Sequence, residues 1–334
     1  MLKYTLKRLL LLLPVIFGVS VLVFLVMHVF TTDPASIILG QHATAEQVNT
    51  LRIELGLDKP LYIQYFAFIG GVLKGNFGDS LITKAPVTQE ILSRFPATIE
   101  LAITAIIIAS VVGVTIGIIS AVKQNSIVDY ISMFIGLIGV SMPIFWLGLV
   151  LIVVFGVQLH WLPVSGRISV GMEPTHITGM YILDSILTGN MAALKDSIQH
   201  LALPAIALAS YSTAIIARMT RSTMLEIIKQ DYIRTARAKG LFEKVVVLKH
   251  ALRNALIPVT TVIGLQLGAL LGGAVLTETV FAWPGIGSYT VDAILKSDYP
   301  VVQGSVMMLA TIFVLVNLIV DLLYAYLDPR IKYS

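Results

Sequence analysis

The chain has 334 residues, 57% hydrophobic and 13% charged, and carries 23 Lys and Arg against 19 Asp and Glu. A soluble domain of this length would carry about 25% charged residues, so there is too little polar surface here to clothe a water-facing globule. The net charge of +4 is modest and gathers on one side of the predicted spans, which marks topology rather than a nucleic-acid surface, and the lack of cysteine excludes disulfides, iron–sulfur clusters and thiol catalysis.

Lys3, Lys7 and Arg8 precede an apolar run over 9–30. The run is longer than a signal-peptide core and no small-x-small cleavage site follows, so it reads as an uncleaved first span. The next segment, 31–97, is predicted to lie outside the membrane with short amphipathic helices. Thr44 and Gln47 can form a capping box, Val48, Leu51 and Leu55 follow at helical spacing, Gly56 can stop that helix, and Pro60 opens a second stretch over 61–73. Further apolar blocks cover 98–121, 131–157, 201–217, 256–280 and 301–327. Each is about long enough to cross a hydrocarbon core of about 30 Å, and helices are expected because lipid offers no partner for free backbone groups. The fourth block is the weakest, being short and containing Ser210, Ser212 and Thr213; the segment 158–200 before it has room for small helices of its own. The reading is an all-α polytopic membrane protein with six transmembrane helices, organised as 1–30, 31–97 and a core over 98–334.

Orientation follows from the basic residues. The loop 218–255 holds Arg218, Arg221, Lys229, Arg234, Arg237, Lys239, Lys244, Lys249 and Arg253 against Glu226, Asp231 and Glu243, whereas 31–97, 158–200 and 281–300 are roughly balanced. The positive-inside rule then places this loop and both termini in the cytoplasm. Pro14, Pro143, Pro204 and Pro258, with Gly113, Gly117, Gly136, Gly139, Gly264, Gly268, Gly272 and Gly273, punctuate the spans. Close helix packing is the favoured explanation over broken helices lining a path.

No catalytic centre emerges. There is no P-loop, no HExxH and no GxSxG, and the histidines at 28, 42, 160, 176, 200 and 250 are scattered as surface or interfacial residues. Glu100, Glu278 and Asp321 fall near predicted span ends, where headgroups can receive them. A proton- or sodium-coupled carrier would place charges near mid-membrane. Their absence argues against a stand-alone carrier or channel, and a membrane-embedded enzyme would need facing polar clusters that the sequence does not reveal.

The most informative stretch is DYIRTARAKGLFEKVVVLKHALRNALIP over 231–258. Asp231 is expected to cap a helix from Tyr232, Ala236 and Ala238 keep its surface low, and Gly240 stands at the C-cap position beside Lys239. A second, amphipathic helix is expected to carry Leu241, Val245, Leu248 and Leu252 on one stripe, with Lys244, Lys249 and Arg253 mostly off it. Such a unit can project a small-residue knob into a partner, although a plain positive-inside loop is the simpler alternative.

This stretch resembles the coupling motif of binding-protein-dependent ABC importer permeases, summarised as Glu-Ala-Ala, three residues, Gly, nine residues, Ile-x-Leu-Pro. Gly240 takes the glycine place; Arg234, Thr235 and Ala236 take the opening triplet, where only Ala236 matches; His250, Ala251, Leu252 and Arg253 take the last places, where only leucine matches. These departures, in the wordings RTARAKGL and HALRNALIP, are typical of the dipeptide, oligopeptide and nickel branch, as are ELGLDKPLYIQY at 54–65, GNFGDSL at 75–81, LHWLPVSGR at 159–167, ETVFAWPGIG at 278–287 and DYPVVQG at 298–304. The long segment after the first span is similar to that of the first permease subunit type. The resemblance implies a type I ABC importer permease fold and a heterodimer with a homologous second permease. It also implies two ABC ATPase subunits that carry ATP and Mg, and an extracytoplasmic substrate-binding protein. The ATPase-coupling residues it implies are Arg234, Thr235, Ala236, Arg237, Ala238, Lys239, Gly240 and Leu241. No cofactor, metal site or nucleic-acid partner is expected on this chain. The substrate expected is a peptide, with nickel, metal chelates, glutathione or opines as alternatives within the same architecture.

Overall fold

The computed structural model describes residues 2–29, 33–40 and 43–327. Among them the chain is helical: α1 (Leu2–Val29), α2 (Pro34–Leu39), α3 (Ala45–Glu54), α4 (Leu61–Val72), α5 (Val87–Val122), α6 (Ile127–Ser141), α7 (Ile144–Leu151, continued as a π-helix over Ile152–Gln158), α8 (Tyr181–Leu187), α9 (Met191–Ile228), α10 (Asp231–Ala238), α11 (Glu243–Val245, continued as a π-helix over Val246–Ala251), α12 (Leu252–Val280), α13 (Ile286–Leu295) and α14 (Tyr299–Leu327). Local chemistry sets several starts. The expected capping box is present at α3, with Thr44 Oγ1 accepting from Gln47 N at 3.3 Å and Gln47 Oε1 accepting from Thr44 N at 2.9 Å. Ser126 and Asn190 cap α6 and α9 by the side chain alone, accepting from Asp129 N and Ala193 N. Gly56, at φ +69°, ends α3 as expected, and Pro60 precedes α4.

Five described helices are long and apolar enough to cross a membrane, and the pair α6–α7 makes a sixth crossing only as a broken unit, bent by 105°. The third block is therefore not one straight helix over 131–157. Pro143 removes a backbone donor and turns the residue before it, Met142, to extended geometry (ψ 133°). Here the broken-helix explanation for an intramembrane proline holds. Pro14, Pro96, Pro204 and Pro258 remain inside continuous helices.

The fourth block needs the opposite correction. α9 runs for 38 residues, far beyond 201–217, and is the most enclosed of the crossing helices. Its polar residues face protein rather than lipid, so hydropathy underestimates it: Ser212 Oγ donates to Gln266 on α12, and His200 packs beside Asp196. α9 lies against α5 along a seam of small side chains. Ala97, Leu101, Ala102, Ala105 and Ala109 of α5 share one core with Leu201, Ala205, Leu208, Ala209 and Ile216 of α9 and with Val259, Leu270, Leu271 and Ala274 of α12. Gly113 and Gly117 let the backbones approach. A Cβ on Gly113 would stand 2.9 Å from Thr213 O, and one on Gly117 would stand 2.7 Å from Ala217 O and 2.5 Å from Thr220 Cβ. Gly264 and Gly268 do the same for α12 against Val320 and Asn317 of α14.

The two ends of α5 carry different structures. Its N-terminal residues Val87 and Ile91 pack with Val23, Met27, Ile286, Tyr299 and Val302, whereas Ala121 packs with Met224, Ile233 and Val246. At about 1.5 Å per residue these clusters lie about 50 Å apart along the helix. At the Val87 end a polar clasp ties the irregular segments to the bundle. The Arg167 guanidinium donates to Glu100 Oε2 at 2.5 and 3.0 Å and to Gly179 O at 2.7 Å, and lies over the Tyr181 ring. Thr98 donates to Glu278 at 2.7 Å, Ser288 N donates to the same carboxylate at 3.0 Å, and Trp283 Nε1 donates to Ala97 O. Glu100 and Glu278 are thus 6% and 0% exposed, inside protein rather than at headgroups. Asp184 accepts from Thr178, Ile177 and Gly179; burial pushes its carboxyl up, but those donors outweigh it and hold the pKa below the usual carboxylate range.

The α5–α9 seam predicts a contrast between glycines. Gly117→Leu must displace backbone, and is expected to cost at least about 1–3 kcal/mol. Gly136→Ala meets Ala214 at an ordinary 3.8 Å and should be near neutral. Thermal unfolding of the full chain in one detergent compares them directly.

Candidate functional site

At the Ala121 end the chain leaves α9 and folds into a compact helical hairpin before entering α12. Gln230, extended at ψ 149°, takes the N-cap position of α10 without a side-chain cap. Asp231 is therefore not the cap. It is the first helical residue, where its charge suits the helix N-terminus, and it pairs with Arg234 at 3.0 Å. α10 ends at a Schellman turn, with Leu241 N donating to Ala236 O and Gly240 N to Arg237 O, and Gly240 sits at φ +74°. A side chain at that φ is strained, although the space around Gly240 is open.

The hairpin is anchored from inside. Ile233 and Ala236 of α10 and Val246, Val247 and Ala251 of the π segment pack on Met224 and Ala121. Two polar contacts fix its angle: Arg237 forks onto Glu243 at 2.6 and 3.1 Å across the glycine turn, and Asn254 donates to Tyr232 OH at 2.7 Å. Both partners in the first pair are half-exposed, so the fork contributes orientation more than stability.

Most of the apolar stripe expected on the second helix is exposed. Leu241, Val245 and Leu248 are exposed and Leu252 is only partly buried, while Val246 and Val247 take the interior. The cause is helical phase: residues 241–242 belong to the turn, the helix starts at Glu243, and the π-helix over Val246–Ala251 holds more residues per turn than an α-helix. As a result Leu241, Val245, Leu248 and the 84% exposed Phe242 form an apolar surface beside Gly240, edged by Lys239, Lys244 and Lys249. Of the eight residues expected to couple, Arg234, Thr235, Arg237, Ala238, Lys239, Gly240 and Leu241 are exposed on this hairpin. Ala236 is not a surface knob; it is 8% exposed and belongs to the internal anchor.

A further group escaped the sequence reading. Asp129, at the start of α6, is 2% exposed and accepts both arms of Arg221 from α9, at 2.7 and 2.8 Å, together with Ser120 Oγ of α5. It fastens three helices close to the hairpin. The only cue was an acidic residue immediately before an apolar block, opposite one of nine basic residues in a loop. Facing polar clusters thus exist within the helices, but each is spent on tying helices together.

This architecture has known relatives. The binding-protein-dependent transport system inner membrane component family matches residues 113–333, and its N-terminal companion family matches residues 1–102. The chain belongs to this family of transport permeases. It is 52% identical over its whole length to a dipeptide transport system permease protein of Alkalihalophilus pseudofirmus and 47% identical to one of Escherichia coli strain K12, each covered completely. A glutathione transport system permease protein of the same E. coli strain is 44% identical, again over both whole chains. The permease is accordingly a multi-pass protein of the cytoplasmic membrane, and the Gly240 hairpin is a built element of it rather than an unstructured basic loop.

The left-handed turn gives a test of the hairpin itself. Gly240→Val should speed amide hydrogen exchange over 231–245 by about tenfold, since a Cβ at this φ costs about 1–2 kcal/mol. Gly240→Asn should change it far less.

Proposed function

We propose that this permease is one half of an ATP-driven peptide importer, and that the Gly240 hairpin is the surface through which an ATPase moves it. The observation that carries the proposal is the split character of the hairpin. Ile233, Ala236, Val246 and Val247 bind it to the ends of α5 and α9, while Phe242, Leu241, Val245 and Leu248 stand exposed outside that internal cluster. A solvated loop would not present such a surface; a docking element would.

In this reading the hairpin and both termini lie in the cytoplasm, in keeping with the basic excess of the 218–255 loop. Two ATPase subunits carry ATP and Mg, and this chain binds no cofactor. A homologous second permease completes the pathway, and an extracytoplasmic binding protein delivers substrate at the far end. Arg234, Thr235, Arg237, Ala238, Lys239, Gly240 and Leu241 make the contact, with Ala236 setting its position. ATP can drive transport only by favouring one permease state over another, since equal binding to both shifts nothing. The full-length identity to two dipeptide permeases favours di- and oligopeptides, and glutathione, itself a tripeptide, falls in the same chemical class.

Phe242→Asp places a charge at the centre of the exposed apolar surface. Membrane insertion should be unchanged, while co-purification of the ATPase subunits and uptake of a labelled dipeptide should both fall by about tenfold or more. Unchanged co-purification with unchanged uptake would sink the coupling assignment.

A further inference from the structure

At the end of the bundle opposite Gly240, two walls border an open-sided cavity of about 580 Å³. One wall is α4 against α1: Tyr65 OH meets Ser20 Oγ at 2.8 Å, and Gln64 bridges His28, Lys59 O and Leu57 O at 3.1, 2.7 and 3.3 Å. The other is the turn at 79–85 against the start of α14: Asp298 accepts from Ser80 Oγ at 2.5 Å and from Leu81 N and Ile82 N at 3.1 and 3.4 Å. These bonds fasten α4 to α1 and the 79–85 turn to the start of α14, so each wall is a built part of the fold.

Its lining is chemically divided. Phe24 and Phe68 supply an aromatic back, stacked 6.3 Å apart. Lys59 and Lys84 stand at the lining as two cations against one carboxylate, Asp79. Gln303, 6% exposed, also lines the cavity, and its amide nitrogen is buried with no hydrogen-bond partner. A buried N–H without an acceptor is costly, and rotation about the last side-chain bond is soft enough to turn it toward the cavity. The place of the cavity narrows the occupant. It lies where α1 ends and α14 begins, the ends of two membrane-crossing helices, which is the depth of lipid headgroups.

We propose that this cavity is a binding site for an anionic phospholipid, with the phosphate received by the Gln303 amide together with Lys59 and Lys84, and the glycerol and upper acyl carbons against Phe24 and Phe68. Nothing in this site depends on what the Gly240 hairpin contacts. Its role is to hold α4 and the 79–85 turn in fixed relation at the membrane surface.

The test uses the full chain in neutral detergent, titrated with dihexanoyl phosphatidylglycerol and followed by native mass spectrometry and by thermal unfolding. One lipid should bind and raise the unfolding temperature. Lys59→Ala and Lys84→Ala should each weaken binding by about fivefold. Gln303→Leu should abolish the lipid-induced rise while leaving the lipid-free unfolding temperature equal or higher, because it removes an unsatisfied buried group. A Gln303→Leu chain that is less stable without lipid would show the amide to be satisfied internally and overturn the proposal. So would equal binding of dihexanoyl phosphatidylcholine, equal competition by inorganic phosphate, or displacement of the lipid by a dipeptide at similar concentration.

Discussion

The bundle depends on how closely α5 and α9 approach. In a membrane no hydrophobic force drives two apolar helices together, because lipid tails are as apolar as leucine; close packing must supply the attraction. Gly113, Gly117 and the alanines at 97, 102, 105 and 109 allow backbone to meet side chain at contact distance over much of α5. At 36 and 38 residues both helices are about 54–57 Å long, well beyond a hydrocarbon core of about 30 Å. The seam therefore reaches past the membrane and forms one rigid strut. The polar clasp grips one end of it and the Gly240 hairpin the other, and interiors packed this tightly carry displacement rather than absorb it.

The buried charges fit the same scheme. A buried ion pair is a weak source of stability, because desolvation offsets the attraction; what it supplies at best is a defined geometry. Arg167 with Glu100, and Asp129 with Arg221 and Ser120, each sit where a connection meets the strut. Glu278, enclosed by Thr98, Ser288 and the glycines at 285 and 287, holds the turn into α13. Each carboxylate has a structural partner set.

Much of this was legible in the sequence, and the losses have physical causes. Hydropathy located the spans because lipid selects length and apolarity, but a window average is blind to direction and so missed the bend after Ser141. It cut α9 short because protein, not lipid, surrounds that helix and tolerates Ser, His and Arg. Capping chemistry was read correctly at Thr44, Gly56 and Gly240, since a cap depends on neighbours within four residues. The stripe through Leu241 and Leu248 does not say by itself which face the protein buries, because a π-helix changes the phase of everything in it and nothing local announces one. Glu100 and Glu278 looked interfacial because their partners, Arg167 and Thr98, are 67 and 180 residues away.

A strut longer than the hydrocarbon core is thick puts the hairpin and the clasp on opposite sides of the membrane. The cysteine-free chain allows a direct test with single cysteines at two exposed positions, Phe242→Cys beside Gly240 and Val170→Cys in the segment that follows the clasp residue Arg167. A membrane-impermeant maleimide applied to intact cells should label the cysteine at 170 and reach the one at 242 only after permeabilisation. Labelling of both in intact cells, or of 242 alone, would contradict the account.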